Sequence, residues 1–99
     1  MLNITEEVID REHILSLEGR LDTVSAVEFD RVMNEHLKGA RRIVVDLTNL
    51  IYISSAGLRI LISARKFMKE RDGLVLRNMS DGVREIFRVT GMIDLFELE

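Results

Sequence analysis

The sequence predicts one α/β domain over residues 1–99: a mixed sheet covered by helices, in the order β-β-α-β-α-β-α-β. Two observations support this class. Short apolar runs, such as residues 43–45, alternate with segments whose apolar residues recur at helical spacing. That alternation is typical of parallel strands joined by right-handed helical crossovers. Two strand-like segments with a short connection come first, which predicts one antiparallel strand at the start of the sheet.

The predicted hairpin occupies the first 19 residues. Leu2, Ile4 and Val8 alternate with polar residues and indicate the first strand. Asp10 and Arg11 are predicted to form the turn. The second strand contains alternating apolar residues and is expected to end at Gly19.

The first helix is predicted over residues 25–38. Ser25 and Glu28 have the spacing of a capping box, in which each side chain bonds the backbone amide of the other residue. Gly39 is expected to end the helix in a left-handed conformation. The residues predicted to face the core are Ala26, Phe29, Met33 and Leu37.

The middle of the chain predicts a buried strand and a second helix. Residues 43–45 form a continuous apolar run, as in a central strand covered on both faces. Residues 47–53 are predicted to be a loop or a second short extended piece. A helix is expected over residues 58–71, ending before Gly73, because a polar stripe repeats at helical spacing. The stripe contains Arg59, Ser63, Lys66 and Glu70.

The last third predicts a strand, a helix and an edge strand. Residues 74–76 are apolar and short. Ser80 is expected to cap a third helix that ends at Gly91. Its predicted inward residues are Val83, Ile86 and Phe87. Residues 94–99 are predicted to form a final edge strand.

Composition excludes several classes of function. The formal net charge is −3, from 14 basic and 17 acidic residues, which argues against a nucleic-acid partner. Disulfides and thiolate metal sites are excluded because the chain has no cysteine. His13 and His36 are predicted to be separate surface residues, with no metal-ligand spacing around them. Neither a signal segment nor a run long enough to span a bilayer is found, so no membrane partner and a cytoplasmic location are expected.

Ser54 and Ser55 are the strongest candidates for functional residues, because their hydroxyls lie just before a predicted helix. A hydrolase elbow requires G-x-S-x-G, but Tyr52 and Ile53 occupy the positions of the first glycine. Nucleotide-binding glycine motifs are also missing, so neither an enzyme nor a cofactor site is predicted. Amides at the helix start could hold an anion, and either serine could simply cap the helix.

Three segments together resemble one known family. Asp46-Leu47-Thr48-Asn49-Leu50-Ile51-Tyr52-Ile53-Ser54-Ser55-Ala56-Gly57-Leu58 resembles the core motif of the STAS domain, which is found in anti-sigma factor antagonists. Gly19-Arg20-Leu21-Asp22 is similar to the family's G-x-L-D segment, and residues 83–92 are similar to its third helix and following turn.

The resemblance implies a phosphorylation switch. In the family, an anti-sigma factor with serine kinase activity binds the unphosphorylated antagonist, which frees the sigma factor, and a serine phosphatase resets the cycle. The implied phosphoacceptor is Ser55, with Ser54 as second choice. The residues expected to contact the partner are Asp22, Thr23, Tyr52, Ser54, Ser55, Ala56, Gly57 and Arg59.

The chain departs from the family pattern at the motif itself. Ser54 stands where well-known members have Asp, Ala56 replaces a hydroxyl residue, and many members continue into a last helix. Two alternatives therefore stay open. One is a STAS module of another signalling or transport assembly without a phosphate cycle, and the other is a small-ligand or nucleotide binder at the helix start.

Overall fold

A computed structural model describes residues 1–99, and it confirms the predicted fold class and element order. The strands are β1 (Leu2–Ile9), β2 (Glu12–Leu21), β3 (Arg42–Ile53), β4 (Leu74–Arg77) and β5 (Glu97–Leu98). The helices are α1 (Ser25–Leu37), α2 (Ser55–Met68) and α3 (Asp81–Val89), and a 3₁₀ turn at Ile93–Leu95 precedes β5. The sheet order is β1-β2-β3-β4-β5, with β1 antiparallel to β2 and every other pair parallel.

One face of the sheet and the three helices share a single apolar core. Alternate residues of the central strands, including Leu15, Val45 and Leu76, pack with Phe29, Leu61 and Phe87 from the helices. All six are almost completely buried. Because side chains alternate along a strand, the neighbouring positions lie on the opposite face. That face carries the ion-paired residues Glu12, Arg42, Asp46, Arg77 and Glu99.

Strand β3 is longer than predicted: of the two alternatives for residues 47–53, the extended one is confirmed, as a continuation of β3, and the loop is wrong. Asp46 Oδ1 accepts hydrogen bonds from the amide of Thr48 at 2.9 Å and from its hydroxyl, at the point where β3 has one residue more than β2 between consecutive strand pairs. Strand β2 follows it with two register shifts and ends at Leu21, not at Gly19. Gly19 adopts a φ of 105°, and a Cβ atom there would lie 2.3 Å from the carbonyl oxygen of Met1. Glycine is required at this point of close approach.

The predicted bounds of α1 are confirmed to within one residue, but the contacts predicted to cap its two ends are wrong. Ser25 exchanges hydrogen bonds with Asp22: its Oγ accepts from the Asp22 amide, and its own amide donates to Asp22 Oδ1, each at 2.9 Å. Glu28 does not reach back to Ser25 but pairs with Arg31 one turn later. Gly39 lies outside the left-handed region, since Lys38 ends the helix in a right-handed conformation.

The other helix boundaries follow their caps. α2 starts at Ser55, three residues before the predicted start, because Ser54 is the N-cap, and it ends at Met68. In α3 the predicted cap is confirmed, since Ser80 Oγ accepts from the Val83 amide at 3.3 Å. The left-handed stop at Gly91 is also confirmed, with a φ of 74°. The final strand is shorter than expected.

The prediction for the histidines is wrong. Strand β2 and helix α1 run in opposite directions, so the last turn of α1 returns to the first residues of β2. His13 and His36 consequently meet, with their Nδ1 atoms 2.7 Å apart, and His36 is only 8% exposed.

None of the helices combines the length and the apolar character that crossing a bilayer requires.

Candidate functional site

The candidate site lies where β2 and β3 end and α1 and α2 begin. Leu21 and Ile53 are paired at the ends of the two parallel strands, and the Ser54 amide donates to the Leu21 carbonyl at 2.8 Å. This bond brings the Asp22 loop beside the Ser54-Ser55 segment. The carboxyl ends of parallel strands are the usual place for a functional site in an open α/β sheet. We call this part of the molecule the Ser55 end.

The two serines have different environments. Ser54 has an extended backbone, and its Oγ accepts from the Gly57 amide at 3.3 Å, so it is the helix N-cap. Its side chain is buried, with 8% of the residue exposed. Ser55 is the first residue of α2 and is exposed to solvent. The Ser54 side chain is therefore engaged in capping the helix, while the Ser55 side chain is accessible to an approaching molecule.

Gly57 positions α2 against the sheet. A Cβ atom at this residue would lie 2.7 Å from Leu21 Cγ and 2.9 Å from Ile53 Cγ1, closer than real Cβ contacts occur. Its backbone needs no left-handed conformation. Gly57 is buried, so its role at the site is to let α2 approach β2 and β3 closely.

Asp22 holds the loop that leads into α1. Its Oδ1 accepts hydrogen bonds from the Ser25 amide at 2.9 Å and from the Ser25 hydroxyl at 3.0 Å. These two bonds hold the pKa of the Asp22 carboxyl below its ordinary value. Thr23, the next residue, is exposed. The loop thus presents an ionised carboxylate and a free hydroxyl beside α2.

A shallow groove separates the first turns of α1 and α2. Its volume is about 370 Å³, and it brings together Thr23, Ala56 and Arg59 from the predicted set. The remaining lining residues are Ala26, Val27, Asp30 and Ile60. Tyr52 is not part of this groove, because its ring packs under the guanidinium of Arg20, with Cζ 4.5 Å from the ring centroid.

A second, more apolar groove lies on the other side of Ser55. It has a volume of about 250 Å³ and is lined by Ser55, Leu58, Arg59, Ile62, Thr90 and Met92. Arg59 borders both grooves. The groove joins α2 to the residues that follow α3, so Ser55 lies beside two concave surfaces.

Sequence reasoning missed the exposed valines of the Ser55 end. Val24 and Val27 are 83% and 74% exposed, although both are apolar. The signal for Val27 was available, because Ala26 and Phe29 define the buried face of α1 and place Val27 outside it. Thr90 and Met92 could not be found from sequence, since only the packing of α3 brings them to Ser55.

The electrostatics of the site suit an added anion. The first turn of α2 contains no acidic residue, and its free amides give the helix start a partial positive charge. Arg59 Nε lies 3.5 Å from the Ser55 carbonyl oxygen, one turn along the helix. Neither histidine can act as a general base for Ser55, since both lie at the opposite end of β2 and α1. An exposed hydroxyl at a positively polarised helix start is a geometry that can accept an added group.

Comparison with known proteins gives the family. A family model described as "Mlab, STAS domain" matches residues 4–97. BtrV of Bordetella bronchiseptica, which is named for an anti-sigma factor antagonist role, is 35% identical over 97 residues, covering 96% of this chain and 84% of BtrV. The chain is a STAS-domain protein of the anti-sigma factor antagonist family. The resemblance found in the sequence is thereby confirmed.

More distant STAS proteins extend the comparison. The anti-sigma-B factor antagonist of Staphylococcus aureus is 29% identical over 99 residues, covering 98% of this chain and 92% of that protein. The solved structure of unphosphorylated SpoIIAA superimposes with a TM-score of 0.83 at 18% identity, covering 98% of this chain and 88% of that one. Its phosphorylated form, from Bacillus, gives 0.75 at 17% identity, covering 98% and 91%. The STAS fold of this chain is therefore shared with both forms of SpoIIAA.

Proposed function

We propose that this STAS protein is an anti-sigma factor antagonist switched by phosphorylation of Ser55. The unphosphorylated protein binds an anti-sigma factor with serine kinase activity through the Ser55 end, and the sigma factor is released. Phosphorylation of Ser55 then releases the anti-sigma factor, and a serine phosphatase restores the binding form. The proposed location is the cytoplasm, where the transcription machinery operates.

The observation that carries the proposal is that the two serines differ in exposure and in hydrogen bonding. Ser54 fills the cap and is buried, whereas Ser55 is exposed at the start of α2. A kinase must reach the hydroxyl oxygen of its substrate, and of the two motif serines only Ser55 is exposed. This environment favours Ser55 over Ser54, although Ser54 replaces the acidic residue of well-known family members.

The chemical step requires no catalytic group from this chain. The Ser55 Oγ attacks the γ-phosphorus of ATP, the bond from that phosphorus to the oxygen shared with ADP breaks, and the hydroxyl proton passes to a base of the kinase. The product is phosphoserine and ADP. The antagonist contributes an accessible oxygen on a rigid helix start.

The partner surface combines charge with apolar area. We propose that Asp22, Thr23 and Arg59 make polar contacts, while Val27 and Ala56 of the groove are covered by the partner. Tyr52 stacked on Arg20 forms the edge of this surface. Ser54 and Gly57 act indirectly, because both are buried and shape the backbone on which Ser55 stands.

Phosphorylation would release the partner by electrostatics. A phosphoserine adds about 1.5–2 negative charges. Burying such an anion in an interface without a paired cation costs several kcal/mol. At about 1.4 kcal/mol per tenfold change, this corresponds to roughly a thousandfold loss of affinity.

The test is phosphorylation of matched serine variants. The wild type, Ser55→Ala, Ser54→Ala and Ser63→Ala are incubated with the cognate kinase and ATP, and the modified peptide is identified by mass spectrometry. Ser63 is an exposed serine of the same helix and serves as the control. We expect one phosphate on the wild type, Ser54→Ala and Ser63→Ala, and none on Ser55→Ala. Phosphate retained on Ser55→Ala would place the acceptor elsewhere.

The second candidate function is a binding module without a phosphate cycle. The apolar groove formed by Leu58, Ile62 and Met92 beside Ser55 favours it, because a small ligand or a partner side chain could fill that space. No added mass on any variant, together with a small molecule retained in native mass spectrometry, would support this module over the switch.

A further inference from the structure

Three titratable side chains from three elements meet at the end of the molecule opposite Ser55. The His36 Nε2 atom, on the last turn of α1, lies 2.6 Å from Oε1 of Glu6 on β1. Its Nδ1 lies 2.7 Å from Nδ1 of His13 on β2, and the two rings are perpendicular. His36 is 8% exposed, so solvent cannot readily replace these partners. We call this set the histidine cluster.

The number of protons that the cluster can hold follows from its geometry. His36 Nε2 donates to the Glu6 carboxylate, and the short contact between the two Nδ1 atoms requires one proton between them. With His13 Nδ1 as donor and His36 Nδ1 as acceptor, both imidazoles are neutral. One excess proton can be added at His13 Nε2 without breaking either bond, and transfer of the shared proton to His36 Nδ1 then places the positive charge on His36, beside Glu6. A second would put hydrogens on both Nδ1 atoms, which would then face each other without an acceptor.

Two acidic residues of the hairpin face away from the cluster. Glu7 and Glu12 lie on the opposite face of the sheet, because their paired positions are Ile14 and Arg42. On α1, Glu35 is bound to Arg31. From the segment after α2, Arg71 donates to the carbonyls of residues 37 and 40 at the end of α1, and so adds a positive charge near His36.

We propose that Glu6, His13 and His36 form a pH-sensitive clasp, which stays closed with at most one excess proton and opens when both imidazoles are protonated. Opening separates the β1–β2 hairpin from the last turn of α1. The clasp joins the start of β2 to the end of α1. The Asp22 loop connects these two elements at the opposite end of the molecule. Protonation at one end of the molecule therefore loosens the two elements that carry Asp22.

The direction of the pH effect follows from His13. Burial, and then the charge of His36, lower the pKa of His13 below its ordinary value. The folded state therefore favours neutral His13 relative to the unfolded chain. The resulting stabilisation is complete above the ordinary histidine pKa of about 6.5 and is lost as the pH falls through the lowered value.

The first test is an NMR titration of both imidazoles in the full chain between about pH 8 and pH 5. Coupled groups lose protons in macroscopic steps that belong to the pair. We expect the pair to take up its protons in two separate steps, with the pKa of His13 below its ordinary value. Amide protection in β1 and the last turn of α1 should fall with the second protonation, while that of α3 remains. A single coincident midpoint for both rings would overturn the clasp, as would unchanged protection through the second step.

Variants provide an independent test. His13→Asn keeps a side-chain amide near the position of Nδ1 but cannot titrate. We expect its urea midpoint to vary less than that of the wild type over the same pH range. Glu6→Gln should move opening of the clasp to higher pH, because the charge that stabilises the first excess proton is gone. Glu7→Gln, on the opposite face of β1, is the control and should keep the wild-type pH dependence.

Equal pH dependence in the wild type, His13→Asn and Glu6→Gln would contradict the proposal. Should His13→Asn fail to fold, the wild-type titration and Glu6→Gln still decide the question. Neither measurement involves a kinase or phosphate, so its outcome is independent of the proposed function of Ser55.

Discussion

The Asp22 carboxylate at the Ser55 end has two roles that can be separated. It caps the loop before α1 through Oδ1, and it presents negative charge beside the groove. The family resemblance placed it at the partner surface. The structure supports the cap, and partner contact remains a proposal.

Substitutions of Asp22 should distinguish these roles. We expect Asp22→Asn to retain the cap, since its side-chain oxygen can still accept from Ser25, but to weaken binding to the anti-sigma factor through the lost charge. Asp22→Ala should lower the melting temperature as well. Calorimetric binding and thermal unfolding of both variants are the measurements. Unchanged binding by Asp22→Asn would show that the charge of Asp22 does not contribute to partner binding and that its role is to hold the loop.

At the scale of secondary-structure elements, the close approach of α2 to β2 and β3 fixes the orientation of Ser55. Gly57 makes this approach possible, as its missing Cβ leaves room for Leu21 and Ile53. Gly82 in α3 offers a matched control, because a Cβ there would meet no atom within 4 Å. Both glycines lie in helices and have no left-handed backbone.

Gly57→Ala and Gly82→Ala should therefore change stability in opposite directions. We expect Gly57→Ala to lower the free energy of unfolding by about 1–3 kcal/mol, as overpacking does. Gly82→Ala should be neutral or raise it by up to about 1 kcal/mol, because alanine loses less backbone entropy. Urea denaturation with an unchanged m-value measures both. Equal effects of the two substitutions would show that packing at Gly57 is not what requires glycine.

The elements also show what sequence patterns can and cannot reveal. Helix α3 was predicted accurately because Ser80, its inward apolar residues and Gly91 act locally. The unbroken continuation of β3 through Thr48 and Asn49 was not predictable, since β3 has one extra residue against β2 at each of two register shifts, and the Asp46 side chain accepts the Thr48 amide at the first. At the site, the motif identified Ser55, but only tertiary structure showed that Ser54 is the buried cap.

For the whole molecule, the question is whether phosphorylation reshapes the domain. The added charge at the exposed start of α2 interacts favourably with the helix by only about 0.3–1 kcal/mol. The fold of this chain is shared with SpoIIAA in its unphosphorylated and phosphorylated forms. We therefore propose that the switch acts at the surface, while the core stays intact.

A sample phosphorylated on Ser55, and the variant Ser55→Asp, should keep the far-UV circular dichroism spectrum and nearly the same melting temperature as the wild type. Both should lose affinity for the anti-sigma factor, with Ser55→Asp losing less because its charge is smaller. Circular dichroism and calorimetry provide the two readouts. Loss of secondary structure on phosphorylation would show that the switch remodels the domain.

The spatial order of the strands equals their order along the chain. Each strand thus pairs with the strand that precedes it in the chain, and no pairing requires a strand that is synthesised much later. We expect folding to start in the β1–β2 hairpin and to add β3, β4 and β5 in turn, a sequence that a chain emerging from the ribosome could follow. Pulse-labelling hydrogen exchange should show amides of β1 and β2 protected before those of β4. The reverse order would mean that folding begins elsewhere.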